Sequence, residues 1–311
     1  MLPPANVPPS SSDTAPAEVL RRLDLVITRR LDGLLHGEYQ GLVPGHGSEM
    51  GETRGYQPGD DVRRIDWNVT ARMQSPYVRE TIADRELEAW VLADLSPSLD
   101  FGTAFCEKRD LAISAIAAVG FLTNRTGNRL GAILVDPHGA VTIPAKGGKD
   151  HLMALLHRVV ASQRATGGST DLAAAMARLA ATSRRRGLAV VVSDFLGPLE
   201  WEMPLRRITT THETLCVEVV DPRELELPDM GVLRLVDPES GALMEIQTSN
   251  SRLRERYAQA AQAQRDAIAA TIRRAGADHL HLRTDRDWLL DLVHFVAARR
   301  DRIRNLRQIG S

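Results

Sequence analysis

At 311 residues, with 43% hydrophobic and 25% charged positions, the chain can bury a sizeable core as one large domain with an extension or as two domains. Its 39 Lys+Arg stand against 40 Asp+Glu, a formal net charge of −1, which excludes recruitment to nucleic acid or an anionic membrane by overall charge. No stretch approaches the ~18 consecutive apolar residues of a membrane span, and the N-terminus lacks the basic start and apolar run of a secretory signal, so a cytoplasmic protein is expected. Cys106 and Cys216 sit in apolar-leaning segments, one read as helix and one as strand. Both are expected to be buried thiols in a reducing compartment.

Residues 1–16 are rich in Pro, Ser and Ala, a composition that predicts a disordered N-terminus. From residue 17 to about 35, Leu20, Leu23, Ile27, Leu31 and Leu34 mark one face of an amphipathic helix, ended by Gly37. Docking on the chain's own core is expected, with a partner helix as the alternative. The glycine-rich run Gly45-His46-Gly47-Ser48-Glu49-Met50-Gly51 has one residue too many for a dinucleotide fingerprint and follows no strand. Residues 54–67 then gather acids, arginines, Tyr56 and Trp67 around a Pro58-Gly59 turn. Arginine–carboxylate pairs, with Arg63 and Arg64 turned inward and Trp67 docked, would make this segment an ordered clasp.

A strand is predicted at residues 77–82 and a buried one at 87–93, then a buried helix at 110–121. A hairpin follows from 130–135 and 140–143, with helices at 152–160 and 172–181. Residues 188–192 form the most continuous β-branched run, and 214–220 the next strand. A second hairpin, 232–236 with 243–246, precedes a long helix capped by Asn250 or Ser251 and ended near Gly276. A strand at 279–282 and a helix at 288–296 close the chain, and the arginine runs 184–186 and 299–307 read as solvated helix ends. This alternation predicts an α/β fold: a doubly wound, mostly parallel sheet with inserted β-hairpins and an N-terminal helical extension. The expected divisions are 1–16 disordered, 17–79 helix and clasp, and 80–311 the α/β domain.

Oxygen ligands collect at the strand ends. Asp94, Ser96 and Ser98 make a D-x-S-x-S pattern after the first buried strand. Thr170 follows Gly167-Gly168 at the start of a helix, and Asp194 closes the β-branched strand. Strand ends of a doubly wound sheet converge on one crevice. Two carboxylates and three hydroxyls form a hard donor set suited to Mg2+ or Mn2+, with no His or Cys to favour zinc. The plainer reading is structural: a strand-end Asp with following Ser fixes a turn, and Thr170 caps a helix. His279 and His281 share a strand face without a third ligand nearby.

The order of D-x-S-x-S, a threonine after Gly-Gly, and a strand-closing aspartate resembles the metal-ion-dependent adhesion site of von Willebrand factor A-type domains. The motif Tyr-x-Pro-Gly-Asp-Asp-x-Arg-Arg-Ile-Asp-Trp over residues 56–67, followed by Thr70-Ala71-Arg72, resembles the bacterial domain-of-unknown-function family 58. The likeness runs from about residue 37 to the C-terminal helix. It implies a von Willebrand factor A-like domain, an association with MoxR-type AAA+ ATPases, and Asp94, Ser96, Ser98, Thr170 and Asp194 as metal ligands, direct or through water. Two departures stand out. Phe195 follows Asp194 where many A-type domains have glycine, and Ser169, Thr170 and Asp171 are adjacent, so the ligand could be a neighbour of Thr170.

The function so implied is a non-enzymatic, metal-dependent protein-binding module, an adaptor or co-chaperone. A carboxylate of the ATPase or its client would complete the metal shell. The alternative is a Mg2+-dependent phosphatase or hydrolase using Asp94. Against it, Ser96 stands where a second acid is usual, and there is no Walker A, G-x-S-x-G or H-E-x-x-H motif. Nucleic-acid binding through the C-terminal arginines has only 4% aromatic residues for stacking.

Overall fold

The computed structural model describes residues 6–12, 14–34, 53–57, 62, 65–73, 75–79, 87–125 and 127–309. The chain forms two compact units, one of Gly45–Glu86 and one of Met1–Pro44 with Leu87–Ser311. Helix α1 (Pro16–Leu34) therefore belongs to the larger unit, and the expected grouping of this helix with the clasp is corrected. Its apolar face explains why. Val19, Leu20, Leu23 and Ile27 are almost completely buried in the core of the larger unit, so the helix docks in cis. The N-terminal segment is also placed where composition predicts disorder. The Asn6 amide donates to Asp287 (2.6 Å), and the backbone N–H and hydroxyl of Ser11 donate to Asp110 (2.7 and 2.6 Å). A carboxylate at the start of a buried helix needs donors, and composition alone does not reveal that a serine run supplies them.

In the smaller unit, β1 (Thr53–Gly55) pairs antiparallel with β2 (Tyr77–Arg79), and α2 (Trp67–Met73) lies between them in sequence. Asp66 caps α2 by accepting from the N–H groups of Asn68 (3.0 Å) and Val69 (3.3 Å). Thr70 accepts from the Tyr77 N–H at 3.0 Å. Trp67 is 71% exposed and not docked, which corrects the expected clasp. The family-like Asp-Trp-x-x-Thr stretch is here a helix start and a strand tie. Arg63, Arg64, the Pro58-Gly59 turn, the Gly45–Gly51 run, Gly37 and the end of the 77–82 strand lie outside the described residues.

The larger unit is built on β3 (Glu88–Asp94), β4 (Arg129–Asp136), β5 (Gly139–Lys146), β6 (Gly187–Ser193), β7 (His212–Val220) and β10 (Asp278–Arg283). Their order is β10-β7-β6-β3-β4-β5, parallel throughout except for the edge strand β5. The first hairpin is thus an antiparallel edge to the main sheet. The second, β8 (Val232–Val236) with β9 (Leu243–Gln247), is a separate two-stranded ribbon.

Period-two alternation splits the core. Ala89, Val91 and Ala93 of β3 face a cluster with α1, α3 (Lys108–Arg125), α4 (Lys149–Val160) and α8 (Trp288–Ile309). Trp90 and Leu92 face the opposite cluster with α5 (Leu172–Thr182), α6 (Glu202–Thr209) and α7 (Ser251–Ala275). Helix α6 has no counterpart among the expected elements. It runs eight residues and buries only Leu205 and Ile208, too little to show a period.

Two further expectations change. Cys106 lies in the bend before α3, outside the helix, and burial pushes its thiol up to about 12. Arg299 is buried, donating to Asp278 (2.8 Å) and Glu213 (2.7 Å), and so ties α8 to β10 and β7. Arg184, Arg185 and Arg186 are exposed as expected. Among the described residues no helix is long and apolar enough to cross a membrane.

Leu23→Ala should cost about 2–5 kcal/mol in urea unfolding. Leu25→Ala, on the 45%-exposed flank of the same helix, should stay within about 0.5 kcal/mol. Equal effects would sink the cis docking of α1.

Candidate functional site

The crevice forms at the topological switch point, where β3 has β4 on one side and β6 on the other. Register is set at the far end of the strands. Gly187 opposes Glu88, and a Cβ on Gly187 would collide with the Glu88 carbonyl oxygen. Ala93 pairs with Val192, so the next residues, Asp94 and Ser193, arrive side by side at the carboxyl ends. The Ser193 hydroxyl donates to Asp94 Oδ2 at 2.6 Å, and the Ser96 N–H donates to Asp94 Oδ1 at 2.9 Å. Ser96 and Ser98 hydroxyls bond each other at 2.9 Å, with Ser98 in a 3-10 turn over Pro97–Leu99.

Asp194, one residue past β6, accepts from the Leu196 N–H (3.1 Å) and from Lys108 Nζ (2.8 Å). Burial opposes its ionisation. The Lys108 ammonium outweighs burial and, helped by Leu196 and the Ser98 hydroxyl, holds the carboxyl below its ordinary value. Among the described residues Asp94 has no cationic partner. Burial, with repulsion from Asp194, pushes its carboxyl up to about 6 against the hydrogen bonds from Ser193 and Ser96. The structure therefore brings Asp94, Ser96, Ser98 and Asp194 together.

Phe195, flagged as a departure from glycine, has φ +55°. The left-handed region costs an ordinary residue about 1–2 kcal/mol. Phe195 is fully buried and meets Trp201 edge-on, with ring centroids 5.3 Å apart and an interplanar angle of 60°. That contact and the buried area offset the strain.

Thr170 stands differently. Its Oγ1 is buried and, among the described residues, has no hydrogen-bond partner and no hydrogen bond to the other four residues. Its neighbours are otherwise engaged: Asp171 caps α5 through the Ala174 N–H (2.7 Å), and Ser169 is exposed. The loop is anchored where Gly168 N–H donates to the Glu239 carbonyl (2.8 Å), and the Glu239 carboxyl is raised by burial first and by repulsion from Asp194 next.

Sequence reasoning missed the ionic network beneath these residues. Lys108, fully buried, bridges Asp194 and Glu224. Arg265 of α7 donates to the Asp194 carbonyl (2.9 Å), Glu218 (2.8 Å) and Glu224 (2.9 Å), and His279 bonds Glu218 at 2.8 Å. Burial opposes ionisation of Glu218, but His279 and Arg265 hold its carboxyl below the ordinary value. Three carboxylates (Asp194, Glu218 and Glu224) thus share two permanent cations, Lys108 and Arg265, and Asp94 beside them pairs with neither. A charged residue inside a predicted core strand was one available signal: Glu218 sits within 214–220. Lys108 and Arg265 lie on helix faces that gave none. Among the described residues no cluster of three or more His, Cys, Asp or Glu is arranged to hold a metal. Any cation here would rest on two carboxylates and hydroxyls.

The family model described as protein of unknown function DUF58 matches residues 52–267. The chain belongs to this family. Within DUF58, it is 52% identical over 299 residues to the uncharacterized protein Rv1480 of Mycobacterium tuberculosis, covering 96% of this chain and 94% of that one. The same figures hold for the uncharacterized protein Mb1516 of Mycobacterium bovis. Among solved structures, the conserved hypothetical protein BatB from Bacteroides thetaiotaomicron aligns at 12% identity and a TM-score of 0.43, over 69% of this chain and 99% of that one. The SpRpn10 VWA domain aligns at 11% and 0.37, over 67% and 94%. At these scores the sheet order itself, more than either likeness, describes the fold. The family description names no activity.

Lys108→Met should cost about 3–5 kcal/mol, because it leaves Asp194 and Glu224 buried without their shared cation. Adding Asp194→Asn should restore part of this loss in urea unfolding. Asp94 gives a pH signature in chelator-treated protein. Between 3.8 and about 6 the folded state holds a proton that the unfolded chain has released, so unfolding free energy falls as pH rises. Wild type minus Asp94→Asn should drop by on the order of 3 kcal/mol from about pH 4 to about pH 7. A difference that does not change with pH would show that Asp94 is not so isolated.

Proposed function

We propose that this chain is a non-enzymatic protein-binding module whose Asp94–Asp194 crevice holds Mg2+ or Mn2+ and presents it to a carboxylate of a partner. The observation that carries the reading is Asp94: a buried carboxylate, facing a second carboxylate, without a cation of its own among the described residues. A hard divalent ion beside it would relieve the repulsion from Asp194 and meet the charge shortfall of the network below. Ser96, Ser98 and the unpartnered Thr170 hydroxyl supply neutral donors. A metal bound by few carboxylates retains part of its charge, and so keeps an attraction for an incoming carboxylate.

The partner we propose is a MoxR-type AAA+ ATPase or the client it remodels, in the cytoplasm, with this chain as adaptor or co-chaperone. The family membership supports an interaction module. The ATPase comes from the motif resemblance over residues 56–72. Lys108 gives the hydrolase alternative a candidate cation near Asp194. That ammonium is already shared between Asp194 and Glu224, however, and Asp94 already accepts from Ser193 and Ser96. The Lys108 ammonium is therefore engaged and not free to meet a phosphoryl group.

Saturating Mg2+ or Mn2+ should stabilise chelator-treated protein, by about 2.7 kcal/mol at a hundredfold excess over Kd, and Asp94→Ala should abolish the shift. Capture of the co-expressed ATPase or its client should weaken in chelator and in Asp94→Ala alike. A complex indifferent to both would sink the metal bridge.

A further inference from the structure

Beside the crevice lies a mostly apolar cavity of about 440 Å3. Leu196, Leu227, Phe101 and Tyr257 line it, and β8 closes it with Leu233 and Leu235. The crevice and the cavity share a wall. Ser98, which bonds Ser96 in the crevice, lines the cavity, and so does Glu224, the second partner of Lys108. The volume lies in the range of sites that take a bulky apolar group (about 300–1,000 Å3).

Two observations say what fits there. Arg223 lines the cavity, is exposed, and makes no side-chain ion pair among the described residues. An unpaired guanidinium at the mouth of an apolar cavity complements an acidic ligand. The apolar surface also continues outward. Met230, Val232, Val236, Leu243 and Met244, on or beside the β8–β9 ribbon, are each at least 60% exposed. A small amphiphile swallowed by the cavity would leave that ribbon bare, whereas a protein segment laid along it would cover both.

We infer that the cavity is a specificity pocket for an acidic segment of a partner protein, taking a bulky apolar side chain a few residues from the carboxylate that enters the crevice. This rests on the crevice reading for the carboxylate and on the cavity alone for the apolar side chain.

The test uses the full chain in Mg2+ and an array of nine-residue peptides. The centre is Asp or Asn, and the position two residues later is Leu, Phe, Ala or Lys. Asp-Leu and Asp-Phe peptides should bind about tenfold or more tightly than Asp-Ala and Asp-Lys. Leu235→Trp, which fills the cavity from the peripheral ribbon, should erase this apolar preference but keep the dependence on Asp and Mg2+, with circular dichroism and melting unchanged. Arg223→Glu should weaken every Asp peptide. Asp- and Mg2+-dependent binding without apolar preference overturns the inference and leaves the crevice reading standing. An apolar preference that Leu235→Trp erases, without dependence on Asp or Mg2+, supports the pocket and refutes the crevice reading. Binding of sodium dodecanoate in the cavity, with all peptides inert, overturns the inference in favour of a small amphiphile.

Discussion

The larger unit depends on one buried ammonium. Lys108 stands at the start of α3, beneath the carboxyl ends of the parallel strands, and bridges Asp194 and Glu224. A charge so far from water is costly unless paired. Burial works against its protonation, and the two carboxylates more than reverse that. Arg265 extends the arrangement to Glu218 and to the Asp194 backbone, so α3, α7, β6 and β7 are joined by ionic contacts where side-chain packing alone would not fix their ends.

This network also accounts for the division between Asp94 and Asp194. Both end adjacent central strands and both are buried, yet among the described residues only Asp194 has a cation. The result is one compensated and one uncompensated carboxylate a short way apart. That asymmetry makes the crevice chemically interesting. A site with both acids paired would be only a structural ion network, and one with neither paired would fold with difficulty.

The fold was largely legible because its signals are local. Residues 188–192 read as a central strand from β-branched composition, and the 232–246 ribbon from alternation about a glycine turn. Asn250 and Gly276 mark α7 by capping chemistry. Asp94, Ser96, Ser98 and Asp194 were legible because strand ends and following loops carry them in order. What escaped was tertiary. Lys108, Arg265 and Glu224 are widely separated in sequence and meet only when α3, α7 and the turn after β7 close over the sheet. Ser11 on Asp110 and Arg299 on Glu213 and Asp278 escaped for the same reason, since a serine run and an arginine run read as solvent-facing until a buried acid is placed beside them. Trp67 failed in the opposite direction: an aromatic in a charged stretch suggested docking, and the stretch turned out to begin a short helix.

Phe195 bears on how the crevice would behave as a receptor. A glycine after Asp194 would adopt the same backbone turn without strain and leave the loop free to pivot. Phenylalanine accepts the strain and roots the loop in the opposite face of the sheet, against Trp201. The contact with Trp201 anchors the loop carrying Asp194, so in the proposed function the crevice would act as a fixed socket. Under the proposed function, a partner would meet a surface already in its bound shape, lose little entropy on the receptor side, and be sorted by how readily its own segment reaches the extended form.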